Sequence, residues 1–228
     1  MQEQLFLADL ILKPASSIEN FVVGENAELI FILSHLKAGE AIFLWGGAGT
    51  GKTHLLQAMA DSPEHFYTPT SFPSDSSELP QFTANSIVCV DDVQHFSASQ
   101  QDVLFNLYNE WQARKVTDTA FSIISAADKP PMQLTMREDL RNRLGWGLVY
   151  EVHMLNDDDC KNALEQRAAA KGLRLNRDVI QWIFSHCPRD ARTLFALLEA
   201  LDAYSLKQQR PITIPLLKNL IQSQEFFQ

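Results

Sequence analysis

Four glycines, a lysine and two threonines are packed into Gly46-Gly47-Ala48-Gly49-Thr50-Gly51-Lys52-Thr53, and their spacing suits one kind of chemistry. Gly46, Gly47, Gly49 and Gly51 let successive backbone N–H groups turn toward one point without a Cβ in the way. Such a point attracts an anion. Lys52 adds an ammonium that would reach the β- and γ-phosphates of a nucleotide, and Thr53 adds a hydroxyl for Mg²⁺. Context makes the pattern specific. It follows the apolar run Ala41-Ile-Phe-Leu-Trp45 and opens a helical stretch over 52–60, whose N-terminal dipole also favours phosphate. The expected ligand is ADP or ATP with Mg²⁺.

A second run, Ser86-Ile-Val-Cys-Val-Asp91, ends on a carboxylate followed by Asp92. Asp91 is the expected magnesium-binding partner of Thr53, acting through water. Asp92 stands where many such ATPases carry a glutamate that polarises the attacking water, and is the candidate base. Aspartate is one methylene shorter, so any hydrolysis by this chain should be slow. Taken alone, the pair could also cap the start of a helix. The six histidines show no metal-ligand spacing, and Cys89, Cys160 and Cys187 lack the close pairing of zinc sites. The cysteines are expected to be small apolar residues in a reducing compartment.

The elements that must position these residues can be read from hydropathy. Strands over 41–45, 86–91 and 120–125 are continuous apolar runs, as expected where both faces of a parallel sheet are covered. Helical patterns over 25–37, 52–60 and 100–114 alternate with them, which gives an α/β domain. Pro69, Pro73 and Pro80 among serines make 68–86 a loop. From Asn156 the strands cease. Helical patterns run near 157–171, 176–186, 190–207 and 213–222, the first capped by Asn156 with Asp157-Asp158-Asp159 in its opening turn. The organisation is therefore an arm over 1–14, a nucleotide-binding α/β domain over 15–155 and a small helical lid over 156–228.

Composition narrows the partners. With 46% hydrophobic residues and 21% charged, the 228-residue chain can bury a sizeable core. The net charge of −9 is a poor start for duplex DNA binding, which needs a basic face to displace phosphate counterions. Little or no sequence-specific DNA binding is expected. The opening Met1-Gln-Glu-Gln-Leu5 has no basic stretch before an apolar one, and no apolar run approaches the roughly 18 residues that span a bilayer. The expected location is the cytoplasm, with no membrane partner.

Several segments occur in the order found in bacterial DnaA: Phe21-Val-Val-Gly-Glu-Asn26, Gly46 to Thr53, Val90-Asp-Asp-Val-Gln94, Asp128-Lys-Pro-Pro131, Arg143-Leu-Gly-Trp-Gly147 and Arg192-Thr-Leu194. In this combination the chain resembles the DnaA family over residues 15–222. The resemblance implies an AAA+ P-loop NTPase, with a parallel sheet flanked by helices and a C-terminal helical lid. Two departures are visible. The initiator continues into a helix-turn-helix domain, whereas this sequence ends at Gln228, and it carries an extra helical element before the strand ending at Asp91, where the interval here is short. With both DNA-handling parts missing or reduced, the organisation is similar to that of the Hda family, DnaA-related regulators that switch the initiator off.

That likeness assigns further roles. Arg143 matches an arginine finger that projects into a neighbour's nucleotide site, with Arg141 as the local alternative. Arg192 matches a sensor arginine between lid and phosphates, with Arg189 nearby. Asp128 matches the region of a second sensor, although a turn carboxylate would look the same. Phe21 and Val22 would wall the adenine, a place where core residues would look alike. Gln4, Leu5 and Leu7 match a peptide that docks on the DNA polymerase III sliding clamp, and an extended segment of this kind fits a hydrophobic groove; an arm packed on its own domain is the other reading. The implied function is negative regulation of replication initiation. The chain would bind ADP or ATP, sit on the DNA-loaded clamp (hence at the nucleoid), stimulate ATP hydrolysis by DnaA and self-associate. It would be chiefly an activator of its partner's ATPase. The rivals are an ATP-driven DNA remodeller or helicase loader, and a clamp-recruited adaptor without finger chemistry.

Overall fold

The structure, a computed structural model, describes residues 16–187 and 191–223, without the side chains of Arg192, Gln222 and Ser223. It contains two compact units, Ala15–Met154 and a second that begins at Leu155. In the first, strands β1 (Ala41–Trp45), β2 (Phe66–Tyr67), β3 (Ile87–Val90), β4 (Ser122–Ala127) and β5 (Leu148–Glu151) form a sheet in the order β2-β3-β4-β1-β5. Every neighbouring pair is parallel. Helices α1 (Ala27–Ser34), α2 (Lys52–Met59), α3 (Ala98–Arg114) and α4 (Glu138–Leu144) complete the unit.

Alternation along the strands sends successive side chains to opposite faces. Phe43, Val88, Val90 and Ile123 pack with Val103, Leu104, Leu107 and Trp111 of α3. Ile42, Leu44, Cys89 and Ile124 pack with Leu29 and Leu33 of α1 and Leu55 and Leu56 of α2. With both faces covered, the strands read as unbroken apolar runs. All six residues of β4 are buried. Its one deep polar pair is internally satisfied, the Tyr108 hydroxyl lying 3.0 Å from Ser125 Oγ.

The three strands read from hydropathy are present, with β4 lying two residues further along than the expected 120–125. The reason is local: Ala120 N–H closes a turn on Thr117, and ladder bonding starts at Ser122 N–H, which donates to Ser86. Two strands escaped the sequence reading. β2 has only two residues, and β5 is an edge strand whose Leu148 and Val149 stay 45% and 40% exposed, so neither makes a buried apolar run. Helix α1 is shorter than the expected 25–37, because the N–H groups of His35 and Leu36 turn back to Ile32 and Leu33 in a tightened last turn.

Helix α3 begins with a reciprocal capping box between Ser97 and Gln100, worth roughly 1 kcal/mol. The Gln100 amide also donates to the carbonyls of Pro69 and Phe72, each at 2.8 Å. At the far end of α3, Arg114 donates to Phe82 and Thr119 carbonyls at 2.7 and 2.6 Å. The proline-broken loop over 68–86 is thus pinned at both ends, with Phe72 and Phe82 buried beneath it.

The second unit holds α5 (Asp157–Ala170), α6 (Arg177–His186), α7 (Ala191–Gln208) and α8 (Ile214–Ser223). Asn156 caps α5 by accepting from Asp159 N–H at 2.8 Å. Leu164, Val179, Ile183, Leu197, Leu201 and Leu217 form its core, each worth roughly 1.5–3 kcal/mol on burial. Lys171 pairs with Glu199 and Asp202 at 2.7 and 3.5 Å, but such surface pairs contribute about 1 kcal/mol or less; apolar packing holds this unit. Among the described residues no helix is long and apolar enough to cross a membrane. The three cysteines are free and buried.

Gly147 is where the Arg143-Leu-Gly-Trp-Gly147 segment meets the sheet. A Cβ there would lie 1.9 Å from the Ala41 carbonyl oxygen, so β5 can start alongside β1 only with glycine at this position. Gly147→Ala should lower the thermal midpoint by about 5–10 °C, since overpacking of this kind costs roughly 1–3 kcal/mol. Thermal denaturation followed by circular dichroism checks it; an unchanged midpoint would contradict the close approach.

Candidate functional site

Register brings the chemistry to one end of the sheet. Trp45 pairs with Ala127 and Val90 with Ser125, so Gly46, Asp91 and Asp128 leave the sheet within a residue or two of the same level. Crevices at the carboxyl ends of parallel strands, near a reversal in strand order, are where such sheets hold ligands. Here β1 follows β4 in space, and the loop after β1 lies on that side.

The loop is built for close approach. Gly51 has φ of +97°, and a Cβ there would lie 2.7 Å from Phe21 Cε2. Around Gly47 a Cβ would meet nothing within 4 Å, and Gly47, Ala48 and Gly49 are exposed, so the mouth of the loop is open. Beneath that mouth, Lys52 is 9% exposed. Its ammonium donates to the carbonyls of Gly46 and Gly47 at 2.7 and 2.9 Å. Burial pushes its pKa down, and the negative charges of Asp91, Asp92 and Asp128 resist that fall. The outcome is a cation seated at the base of an open glycine cradle, which fits a nucleotide polyphosphate.

Asp91 is 2% exposed. Its Oδ2 accepts from Thr53 Oγ1 at 2.6 Å and its Oδ1 from the Asp92 N–H at 2.9 Å. Burial raises its pKa above the ordinary carboxylate range, the Thr53 hydrogen bond opposing and the Asp92 charge adding to the rise. Its own N–H is held by the Tyr67 carbonyl at 2.8 Å, which gives the short strand β2 a role in the site. Among the described residues no three His, Cys, Asp or Glu side chains cluster as a metal site. A Mg²⁺ here would therefore be held by Thr53, Asp91, phosphate oxygens and water, the donor set that this ion favours.

Asp92 sits in the left-handed region at φ 51° and ψ 42° and makes no capping hydrogen bond to the short helical turn that follows. Its Oδ1 accepts from Gln94 Nε2 at 3.0 Å, while Gln94 Oε1 is buried without a partner. Asp128 is exposed and acts on Lys52 through its charge. Phe21 is half-buried, its ring edge against Gly51 and its centroid 5.9 Å from that of His54. Val22 is half-buried beside it in sequence.

Arg143 shares none of these contacts. On α4 it donates from Nε to Asn109 Oδ1 at 2.8 Å, and its guanidinium lies 3.6 Å over the Phe105 ring and 4.9 Å from that of Trp146. Arg141 points elsewhere, its Nη1 toward the Met132 carbonyl at 3.4 Å. Gln4, Leu5, Leu7 and Arg189 lie outside the described residues, as does the side chain of Arg192.

Three participants were given no role by the sequence. Asn26 is 3% exposed. Its carboxamide donates to the His153 carbonyl at 3.1 Å and accepts from the His153 N–H at 2.7 Å, tying the start of α1 to the exit of β5. Val152, one residue earlier, puts its carbonyl 2.6 Å from where a Gly46 Cβ would be, so this tie backs the phosphate loop. Phe105 and Asn109 were read only as part of a helix. Spacing four apart puts them on one face, but nothing in the sequence pairs that face with Arg143.

Comparisons with known proteins bear on the family and the fold. Residues 77–151 match the family model of the bacterial DnaA ATPase domain, and residues 157–221 that of the Hda lid domain. Domain III of the replication initiation protein DnaA from Thermotoga maritima superposes with a TM-score of 0.70 at 21% identity, covering 92% of this chain and 97% of that one. A replication initiator DnaA bound to AMPPCP and single-stranded DNA gives 0.65 at 21%, covering 87% and 70%. A RuvB mutant from Thermotoga maritima gives 0.68 at 14%, covering 91% and 72%.

The raised pKa of Asp91 yields a stability prediction with a sign. The native state holds this proton more tightly than the unfolded chain, so the ionised side chain costs stability at pH 7, and that cost fades as pH falls toward the ordinary carboxylate value near about 3.9. Asp91→Asn should raise the thermal midpoint at pH 7 by about 2–4 °C, the gap closing in acid, while Mg²⁺-dependent nucleotide affinity is lost. Thermal denaturation at pH 7 and pH 4, with nucleotide titration alongside, measures both. A destabilised variant at pH 7 would contradict the burial cost.

Proposed function

We propose that this chain, a Hda/DnaA-like AAA+ protein by its family-model matches, is a regulator that acts on the initiator DnaA. In this reading it binds ADP or ATP with Mg²⁺ on the loop from Gly46 to Thr53. Gln4, Leu5 and Leu7 dock it on the DNA-loaded sliding clamp, in the cytoplasm at the nucleoid. It then supplies Arg143 to the ATP site of DnaA and stimulates hydrolysis there, leaving an ADP-bound initiator.

The observation that carries the reading is the state of the Arg143 guanidinium. Its contacts lie on α3, on α4 and at Trp146 just after it, apart from this chain's own phosphate loop, and it makes no salt bridge among the described residues, the Asp139 carboxylate acting on it only through its charge. A guanidinium outside any salt bridge and away from its own nucleotide site suits a phosphate on another molecule. Placed on a γ-phosphate as the bond to the leaving oxygen lengthens, it offsets the charge that develops on the equatorial oxygens. Such a finger is worth roughly 10³–10⁵ in rate.

Within its own site the chain has a holding task. Lys52 and the loop N–H groups bind phosphate oxygens, and Thr53 and Asp91 hold the metal, whose charge neutralises the β- and γ-phosphates when bound. Asp92 is the candidate base for a slow turnover. The Gln94 amide donates to one of its oxygens at 3.0 Å. Arg192 would link the lid to the phosphates, with Phe21 and Val22 walling the base and Asp128 beside Lys52.

Single-turnover hydrolysis of ATP pre-bound to DnaA, with DNA-loaded clamp present, tests the proposal. Intact protein should accelerate the reaction, and Arg143→Ala should remove the acceleration by roughly 10³ or more. Replacing Gln4, Leu5 and Leu7 by alanine should abolish the dependence on clamp. No acceleration by intact protein sinks the proposal and favours a loader, to be sought through single-strand binding; acceleration that survives Arg143→Ala favours an adaptor.

A further inference from the structure

We propose that Phe105 and Asn109 are positioning residues for Arg143, fixing its guanidinium so that the Nη edge, and not the Nε edge, meets the partner's phosphate. The inference rests on the finger reading above.

A planar guanidinium has five N–H donors on a flexible stem. Unless something fixes its plane, an incoming phosphate meets a distribution of orientations. Here two contacts set the plane and the rotation within it. The Phe105 ring, 3.6 Å from the guanidinium carbon, is a stiff platform because Phe105 itself packs against the sheet core. Asn109, one turn further along α3, accepts from Nε at 2.8 Å, which fixes rotation on that platform. The remaining edge is lightly used: Nη1 reaches the Asp139 carbonyl at only 3.4 Å, and Nη2 has no hydrogen bond among the described residues.

The neighbouring arginine shows what a structural role looks like on the same platform. Arg137 lies 5.2 Å over the same ring, but its guanidinium is spent on carboxylates, pairing with Asp102 and, at 2.9 Å, with Asp139. Arg143 is anchored by a neutral carboxamide and a ring instead. Both hold position without neutralising charge. An aspartate at 109 would anchor Nε equally well and cancel the charge the finger needs.

The same single-turnover assay, run over a range of regulator concentrations, decides. Asn109→Leu and Phe105→Leu should each lower the rate at saturation by roughly 10–100-fold, the scale of a small misplacement of a reacting group, with the half-saturating concentration and thermal midpoint unchanged. Phe105→Tyr, which keeps the ring, should restore the rate. In an Arg143→Lys background, which lacks the Nε donor, Asn109→Leu should add no further loss. Full rates from both leucine variants, while Arg143→Ala is inactive, would overturn the positioning role and leave the finger standing. A raised half-saturating concentration at unchanged maximal rate would make these residues partner contacts and overturn it as well. An active Arg143→Ala would instead remove the finger reading on which the inference depends.

Discussion

Asp91 is an ionisable group that is 2% exposed, and much of the first unit is arranged around keeping it there. A buried carboxylate persists only when its lone pairs are occupied. Two are taken by Thr53 and by the Asp92 N–H, and the Asp91 N–H is taken by Tyr67. Each partner imposes a structural demand. Thr53 must stand at the first turn of α2, so the loop before it must turn sharply enough to start that helix beside β3. Tyr67 must be in a strand paired with β3, which explains a strand as short as Phe66–Tyr67. Asp92 must turn its own N–H back to the carboxylate, and its left-handed backbone accompanies that turn. The cation that offsets this negative charge is Lys52, itself buried and itself moved from its ordinary pKa. Two unfavourable burials sit side by side, and the field of each reduces the cost of the other. A polyphosphate with its metal would complete the same charge balance.

Legibility in the sequence follows from what each feature depends on. The loop from Gly46 to Thr53 was readable because its function is backbone geometry, and glycine spacing encodes backbone geometry directly. Strands β1, β3 and β4 were readable because two covered faces make an unbroken apolar run. β5 was not, because an edge strand beside β1 keeps Leu148 and Val149 half in water, and β2 is too short to show any period. The contacts of Asn26 with His153, more than a hundred positions away, and of Asn109 with Arg143 are products of the fold. A carboxamide has no sequence signature for the backbone or side chain it will eventually meet.

The family resemblance contributed what residue patterns could not, a reason to look at Arg143, and the structure adds a physical distinction the resemblance lacked. Three arginines lie within seven positions on or beside α4. Arg137 is neutralised by two aspartates and Arg141 turns to a carbonyl, with its buried Nε unpartnered. Arg137 and Arg143 share the Phe105 ring, but Arg143 alone of the three anchors through a neutral side-chain amide. Proximity in sequence therefore hides three different settings, and only Arg143 combines the absence of a salt bridge with both a close ring and a side-chain amide.

That contrast also bears on why one AAA+ chain would carry a guarded nucleotide site and an available arginine together. In its own site the carboxylate that would activate water is a short aspartate, one oxygen of which is engaged by Gln94. An aspartate reaches one methylene less far toward an attacking water than the glutamate that many such sites carry. Slow turnover would keep a bound nucleotide in place for longer, and a nucleotide held there would stabilise the unit by mass action. In the proposed role the arginine would stabilise charge only while a transition state is being formed in the partner's site. Holding and accelerating make opposite demands on a site: one needs tight ground-state binding, the other needs interactions that strengthen only in the transition state. With holding assigned to Gly46–Thr53 and accelerating to Arg143, as proposed, each demand could be met without compromising the other.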